Sequence, residues 1–291
     1  MTDTSRPIVI DSHHHLWDTE QRTFAWLESL PAINRSFLPA DLTAELGNAG
    51  VDATVLVQTI HDLDETREFL AFAGETPQIA GVVGWVDLTD PQVGETIAEL
   101  KAGPHGGYLV GIRHLVHDEA DPDWLRREDV RRGLRALGEA GLVYDLLLRP
   151  REIPAAIDTV QALPEVRFVI DHLAKPPIAS GEIAPWASLM RAFGPLENVV
   201  CKVSGMVTEA DHTSWTRADL TPYVAEVVDI FGPERLMFGS DWPVCLLAAS
   251  YGDVLAATRD VLRDLGVLTP ANEAAIFGGT AQRWYGLTLG S

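Results

Sequence analysis

Positive charge is scarce in this chain. Its 291 residues carry 22 Lys and Arg against 42 Asp and Glu, a net charge of −20. So acidic a surface repels nucleic acid and anionic membranes, and neither is expected as a partner; solubility is the plainer meaning of the charge. Cysteine is almost lacking. Cys201 and Cys245 are far apart in sequence and could bond only if the fold brought them together, so a reduced, cytoplasmic chain is the simpler reading. No uninterrupted run of about 18 apolar residues occurs, which excludes a membrane-spanning helix. Met1–Arg6 is polar and lacks the apolar centre of a signal peptide. No Gly-x-Gly-x-x-Gly follows the first strand, which removes the main support for a dinucleotide fold. No stretch rich in Pro, Gly or Ser divides the chain, so residues 1–291 read as one domain.

What is present is a rhythm. Short apolar, β-branched runs recur with helical patterns between them. Eight strands are predicted: Ile8–Ser12, Ala53–Thr59, Ala80–Val86, Leu109–Leu115, Leu142–Leu148, Arg167–Asp171, Val199–Ser204 and Leu236–Gly239. They are near-continuously apolar, as parallel strands buried on both faces are. Helices are predicted over Leu63–Glu75, Gly94–Lys101, Asp129–Ala140, Pro154–Leu163, Ala184–Phe193, Pro222–Phe231 and Tyr251–Leu265. Strands alternating with helices favour an α/β fold of the (β/α)8 barrel type over an open sheet. Residues 16–50, with Trp17, Phe24, Trp26 and a break at Pro31, read as an irregular excursion over the catalytic face.

A barrel places its chemistry at the C-terminal ends of its strands. The first strand ends in Ser12-His13-His14-His15. His13 and His15 share one face because strand residues alternate, and two converging imidazoles suit a metal or a carbonyl-polarising site. A tag or a solvated turn is the bland alternative. The fourth strand ends in Arg113-His114, the fifth in Tyr144-Asp145 with Arg149 beyond, and the sixth in Asp171-His172 with Lys175 beyond. The seventh holds Lys202 and Ser204, and the eighth ends in Ser240-Asp241-Trp242-Pro243. Each has an ordinary explanation. His172 fits a core histidine paired with Asp171, Asp241 fits a helix N-cap, and Lys202 fits a side chain snorkelling out of the barrel. Arg113 needs a partner if buried, and a substrate could be that partner. Trp17 and Trp242 fit the core, or an apolar wall of the site. Taken together, basic or histidine endings on four strands and a carboxylate on the eighth point to a site.

In that order, His13-x-His15, His172 and Asp241 resemble the amidohydrolase superfamily. Ile10–Asp18, Phe168–Pro176 and Met237–Pro243 are similar to its amidohydrolase-related branch, which holds sugar-lactone and dicarboxylate-lactone hydrolases. Ile276–Gly286 resembles the branch's Gly-x-Ala-x-Arg-Phe-Tyr-Gly ending, with Thr280 in place of Asn and Trp284 in place of Phe. Within the branch the chain looks most like lactonases acting on L-fucono- and L-rhamnono-lactones. The resemblance implies a barrel and a hydrolase opening a sugar lactone to its aldonic acid. It implies one divalent metal, zinc, on His13, His15 and Asp241, with Asp145 or His172 as a completing ligand. The strand-five histidine usual in mononuclear members is missing from Val143–Leu148, and some lactonases of the branch need no metal, so a metal-free site stays open. Asp241 is then the general base that takes a proton from water and delivers it to the ring oxygen. His13, His15 and His172 polarise the carbonyl or hold the metal. Arg113, Lys175 and Lys202 bind sugar hydroxyls and the emerging carboxylate, with Trp17 and Trp242 beside them. A metal-dependent decarboxylase and a sugar-binding barrel without turnover are the competing readings. A homo-oligomer stays open.

Overall fold

The computed structural model describes residues 6–289. Most of the polar opening segment Met1–Arg6 therefore lies outside the described residues. Eight parallel strands form one sheet in chain order. They are β1 (Ile10–His14), β2 (Ala53–Val57), β3 (Ile79–Gly84), β4 (Leu109–His114), β5 (Val143–Leu146), β6 (Arg167–Ile170), β7 (Val199–Val203) and β8 (Leu236–Phe238). Every predicted strand is found. β1 is displaced toward its C-terminus relative to expectation, because pairing with β2 resumes at His14 after a register shift beyond Asp11. β8 and β1 close the barrel through a His14–Trp242 bridge. Asp241 N donates to His13 O (2.8 Å) and His15 N donates to Trp242 O (2.7 Å). Both termini of that seam therefore belong to the site.

The outer ring is α1 (Pro39–Ala49), α2 (Leu63–Glu75), α3 (Val93–Ala102), α4 (Glu128–Glu139), α5 (Ile153–Ala162), α6 (Ala184–Met190), α7 (Arg217–Phe231) and α8 (Tyr251–Asp264). Two differ from expectation. α1 lies inside the stretch predicted to be irregular: Pro39 opens it, left-handed Gly50 ends it, and Leu42 and Leu46 are its buried contacts. α7 starts ahead of Pro222 because Thr216 and Asp219 form a capping box.

The barrel interior is layered by strand alternation. Gly111, Val143, Val169 and Val200 each precede by two residues a charged group, Arg113, Asp145, Asp171 and Lys202, and all eight are buried. The lower layer is apolar: Val55, Val57, Val83, Val143, Val169, Val200 and Met237 cluster with Ala281 and Tyr285 of the C-terminal helix Thr280–Tyr285. Gly111 is needed there, because a Cβ would approach Val143 O to 2.9 Å. The upper layer is ionic and carries the candidate site.

Candidate active site at the C-terminal rim

His13 rises from β1 into the barrel axis. Its Nδ1 faces Asp171 Oδ1 (3.3 Å) and Lys202 Nζ (3.1 Å). Its Nε2 lies 3.1 Å from His15 Nε2 and 3.3 Å from an Arg113 guanidinium nitrogen. His14 turns away and pairs with Thr54 Oγ1 (2.9 Å), as alternation predicts. His15 Nδ1 donates to Val57 O (2.7 Å), which leaves its Nε2 lone pair facing the site.

His172 arrives by an uncommon route. His172, Leu173, Ala174 and Lys175 all have φ between 50° and 56°, a left-handed turn without glycine. Such a conformation costs roughly 1–2 kcal/mol per residue. Three contacts hold it. Trp186 Nε1 donates to Leu173 O (2.7 Å), His172 Nδ1 bonds Ser204 Oγ (2.8 Å), and Lys175 Nζ pairs with Glu209 (2.7 Å). The pairing with Asp171 that would make His172 an ordinary core histidine is not formed; the left-handed turn sends the ring toward Ser204 after β7 instead. Asp241 also has a positive φ, 58°, and its carboxylate is aimed at the three rings. Asp241 Oδ1 lies 3.8 Å from His13 Nε2, 3.4 Å from His15 Nε2 and 3.7 Å from His172 Nε2.

These spacings suit a metal. Ligands about 2.0–2.2 Å from a tetrahedral zinc are about 3.3–3.6 Å apart. The ligand atoms of His13, His172 and Asp241 all lie within 4.8 Å of one another, and His15 joins through His13 and Asp241. Each ring is fixed by its other nitrogen, on Asp171, Val57 or Ser204, as metal-ligating histidines are. The donor set fits a divalent ion. Asp145 does not complete it: its carboxylate is bound by Lys202 Nζ (2.6 Å) and Tyr285 Oη (2.8 Å) below the site.

The protonation states follow from burial. Desolvation lowers all three rings, His172 to about 4 and His13 well below the usual imidazole range, so they are neutral at pH 7. Burial pushes the Asp241 carboxyl up, but His172, His15 and Lys175 outweigh it and hold it below its ordinary value. Asp241 is therefore ionised at neutral pH. Asp171 is likewise held down, by Lys202, His13 and Arg113 against its burial.

A cleft of about 350 Å³ opens over this floor. It brings together His15, Arg113, His172, Lys175 and Asp241. Two expectations need correction. Lys202 does not reach the cleft; it is sealed in the barrel between Asp145 and Asp171 (2.6 and 3.0 Å), because two buried carboxylates on neighbouring strands need its charge. Trp17 and Trp242 do not line it either. Trp17 Nε1 donates to Arg35 O (2.7 Å), and its ring packs edge-on to Trp26 and Phe37. Trp242 is buried behind Phe37. Trp26 from the excursion after β1 forms the wall instead. Sequence reasoning also missed Thr59, His117, Asp118 and Leu147. Each lies within a few residues of a strand's C-terminal end, the one signal that could have found them.

A parallel barrel with three neutral histidines and an ionised aspartate converging under an open cleft defines a hydrolase-type centre. The chain belongs to the amidohydrolase family, whose model matches residues 10–287. It is 40% identical over 282 residues to an L-fucono-1,5-lactonase of Burkholderia ambifaria, covering 95% of this chain and 94% of that one. It is similar to a crystal structure of a Burkholderia multivorans amidohydrolase with bound zinc, at 36% identity and a TM-score of 0.91, over 97% of this chain and all of that one. A 5-carboxyvanillate decarboxylase of Sphingomonas paucimobilis is 14% identical with a TM-score of 0.64, over 97% of this chain and 99% of that one. That likeness shows the fold alone.

Proposed function

We propose that this chain hydrolyses a sugar lactone of the L-fucono- or L-rhamnono-lactone kind to its aldonic acid, in carbohydrate breakdown. The observation that carries the reading is Asp241, ionised and within 3.4–3.8 Å of three neutral imidazoles at the floor of the cleft. The lactonase at 40% identity supports the substrate class.

In this reading a water lies against Asp241. The carboxylate takes its proton as the oxygen attacks the lactone carbonyl, and later returns it to the departing ring oxygen. His13, His15 and His172, with Asp241, would hold zinc; a bound divalent ion supplies Lewis-acid polarisation of the carbonyl. Arg113, anchored on Asp171 (3.0 Å), presents its fixed charge to the developing oxyanion and the product carboxylate. Lys175 adds a second cation at the rim. Lactones are activated esters, so the charge of Arg113 can act on the carbonyl without strong electrophilic help. Two buried, unbonded cysteines suit a reduced, cytoplasmic setting.

The test is a panel of sugar lactones assayed for acid release, with and without chelator and with zinc restored. Acid from a hexono- or 6-deoxyhexono-lactone is expected. No acid from any sugar lactone, with zinc present or absent, would overturn the reading.

A further inference from the structure

The cleft also holds two charged side chains that the chemistry above does not use. Three cations line the cleft. Arg113 is committed to Asp171, and Lys175 to Glu209. Arg149, exposed just past β5, lines the cleft and forms no ion pair among the described residues. Asp118, from the loop after β4, lines the same cleft with its side chain 58% exposed. Its only ionic neighbour among the described residues is His117 Nε2, at 3.2 Å. Burial, reinforced by Lys175, Arg149 and Arg113, lowers the His117 ring to about 3. Neutral His117 therefore sits beside Asp118 and leaves its negative charge uncancelled. A free guanidinium and a free carboxylate thus share one cleft without closing on each other.

A hydroxyl group is both donor and acceptor, so a polyol is best held by one fixed donor and one fixed acceptor. Trp26, Leu30, Leu115, Leu147 and Val244 give the same cleft an apolar wall, suited to the C–H face of a sugar ring. We propose that Asp118 and Arg149 are a specificity-determining pair that binds the hydroxyls of the lactone remote from its carbonyl. Arg149 donates to one or two hydroxyl oxygens, and Asp118 accepts from a hydroxyl. The pair makes the site prefer hydroxylated lactones over bare ones. This rests on the lactonase reading and deepens it.

The experiment compares Arg149→Met, Arg149→Lys and Asp118→Asn with the parent enzyme on two substrates, a 6-deoxyhexono-lactone and unsubstituted δ-valerolactone. Both residues are exposed, so the folds should survive, which circular dichroism checks. Arg149→Met and Asp118→Asn should each raise KM for the sugar lactone about tenfold, the scale of a charge-assisted hydrogen bond, with kcat little changed. Arg149→Lys should recover part of the loss. On δ-valerolactone kcat/KM should stay within about twofold. Equal losses on both substrates, or no loss on the sugar lactone, would overturn the pair. Calorimetric binding of the matching aldonate separates this from the lactonase reading. An enzyme that opens no lactone, yet binds the aldonate in a manner weakened by Arg149→Met, keeps the pair and refutes the lactonase. A working lactonase whose Arg149→Met variant behaves as the parent keeps the lactonase and refutes the pair.

Discussion

The two halves of the barrel interior are built on opposite rules. The lower half is valines from successive strands, sealed by Tyr285 and Ala281. The upper half, two residues further along the same strands, holds Arg113, Asp145, Asp171 and Lys202, all nearly or wholly buried. The lower half tolerates imprecision, since apolar contact is non-directional. The upper half does not, because each charge is compensated only by named partners a few ångströms away. Stability and chemistry are thus separated along the barrel axis by a single step of strand alternation.

Four experiments break or sharpen that contrast. Asp241→Asn should lower turnover by about 10²–10⁴-fold, the span of general-base catalysis, with an unchanged circular dichroism spectrum; near-parental acid release would remove Asp241 from its role. Lys202→Met leaves Asp145 and Asp171 short of a buried counter-charge and should cost about 3–5 kcal/mol in urea unfolding. A loss below about 1 kcal/mol would mean the upper layer is as forgiving as the lower. Met237→Leu in the lower layer conserves volume and should cost less than about 1.5 kcal/mol by the same assay.

The mildest perturbation is pH. Burial lowers His14 to about 3, His61 to about 4 and His117 to about 3. Below 6.5 only the unfolded chain takes up their protons, so stability falls as pH drops from 6.5 toward 4. Asp11, Asp145 and Glu65, raised by burial to about 6, about 6 and about 7, act the other way: their folded forms bind protons first, and stability grows on acidification. The lowered histidines, which also include the three at the site and His114, outnumber the raised carboxyls. The urea midpoint should therefore fall between pH 7 and pH 5. A rise over that interval would show that the buried carboxyls dominate.

Much of this was legible in the sequence. Buried parallel strands announce themselves as apolar runs, and all eight were found. His13, His15, His172 and Asp241 were legible because strand ends on a barrel are where polar residues need explaining. α1 was not, since only Leu42 and Leu46 anchor it and its N-cap, Leu38, offers no side-chain bond. Lys202 was misread because alternation places it inward without saying whether solvent, substrate or a carboxylate awaits it. Choosing Trp26 over Trp17 depends on the path of the loop, fixed by a tryptophan-to-carbonyl bond between residues 18 apart. The left-handed run at 172–175 leaves no trace, because no glycine marks it.

That run also depends on chain that comes after it. The groups that hold it, Trp186, Ser204 and Glu209, all follow it in the chain. A polypeptide emerging from synthesis with six strands complete has nothing to oppose the natural preference of Leu173 and Ala174 for right-handed or extended backbone. The Ser204 bond to His172 needs the seventh strand in place, and the Asp241 bond to His13 needs the eighth beside the first. Barrel closure and completion of the centre thus fall on the same residues, and a chain ending before the eighth strand lacks both.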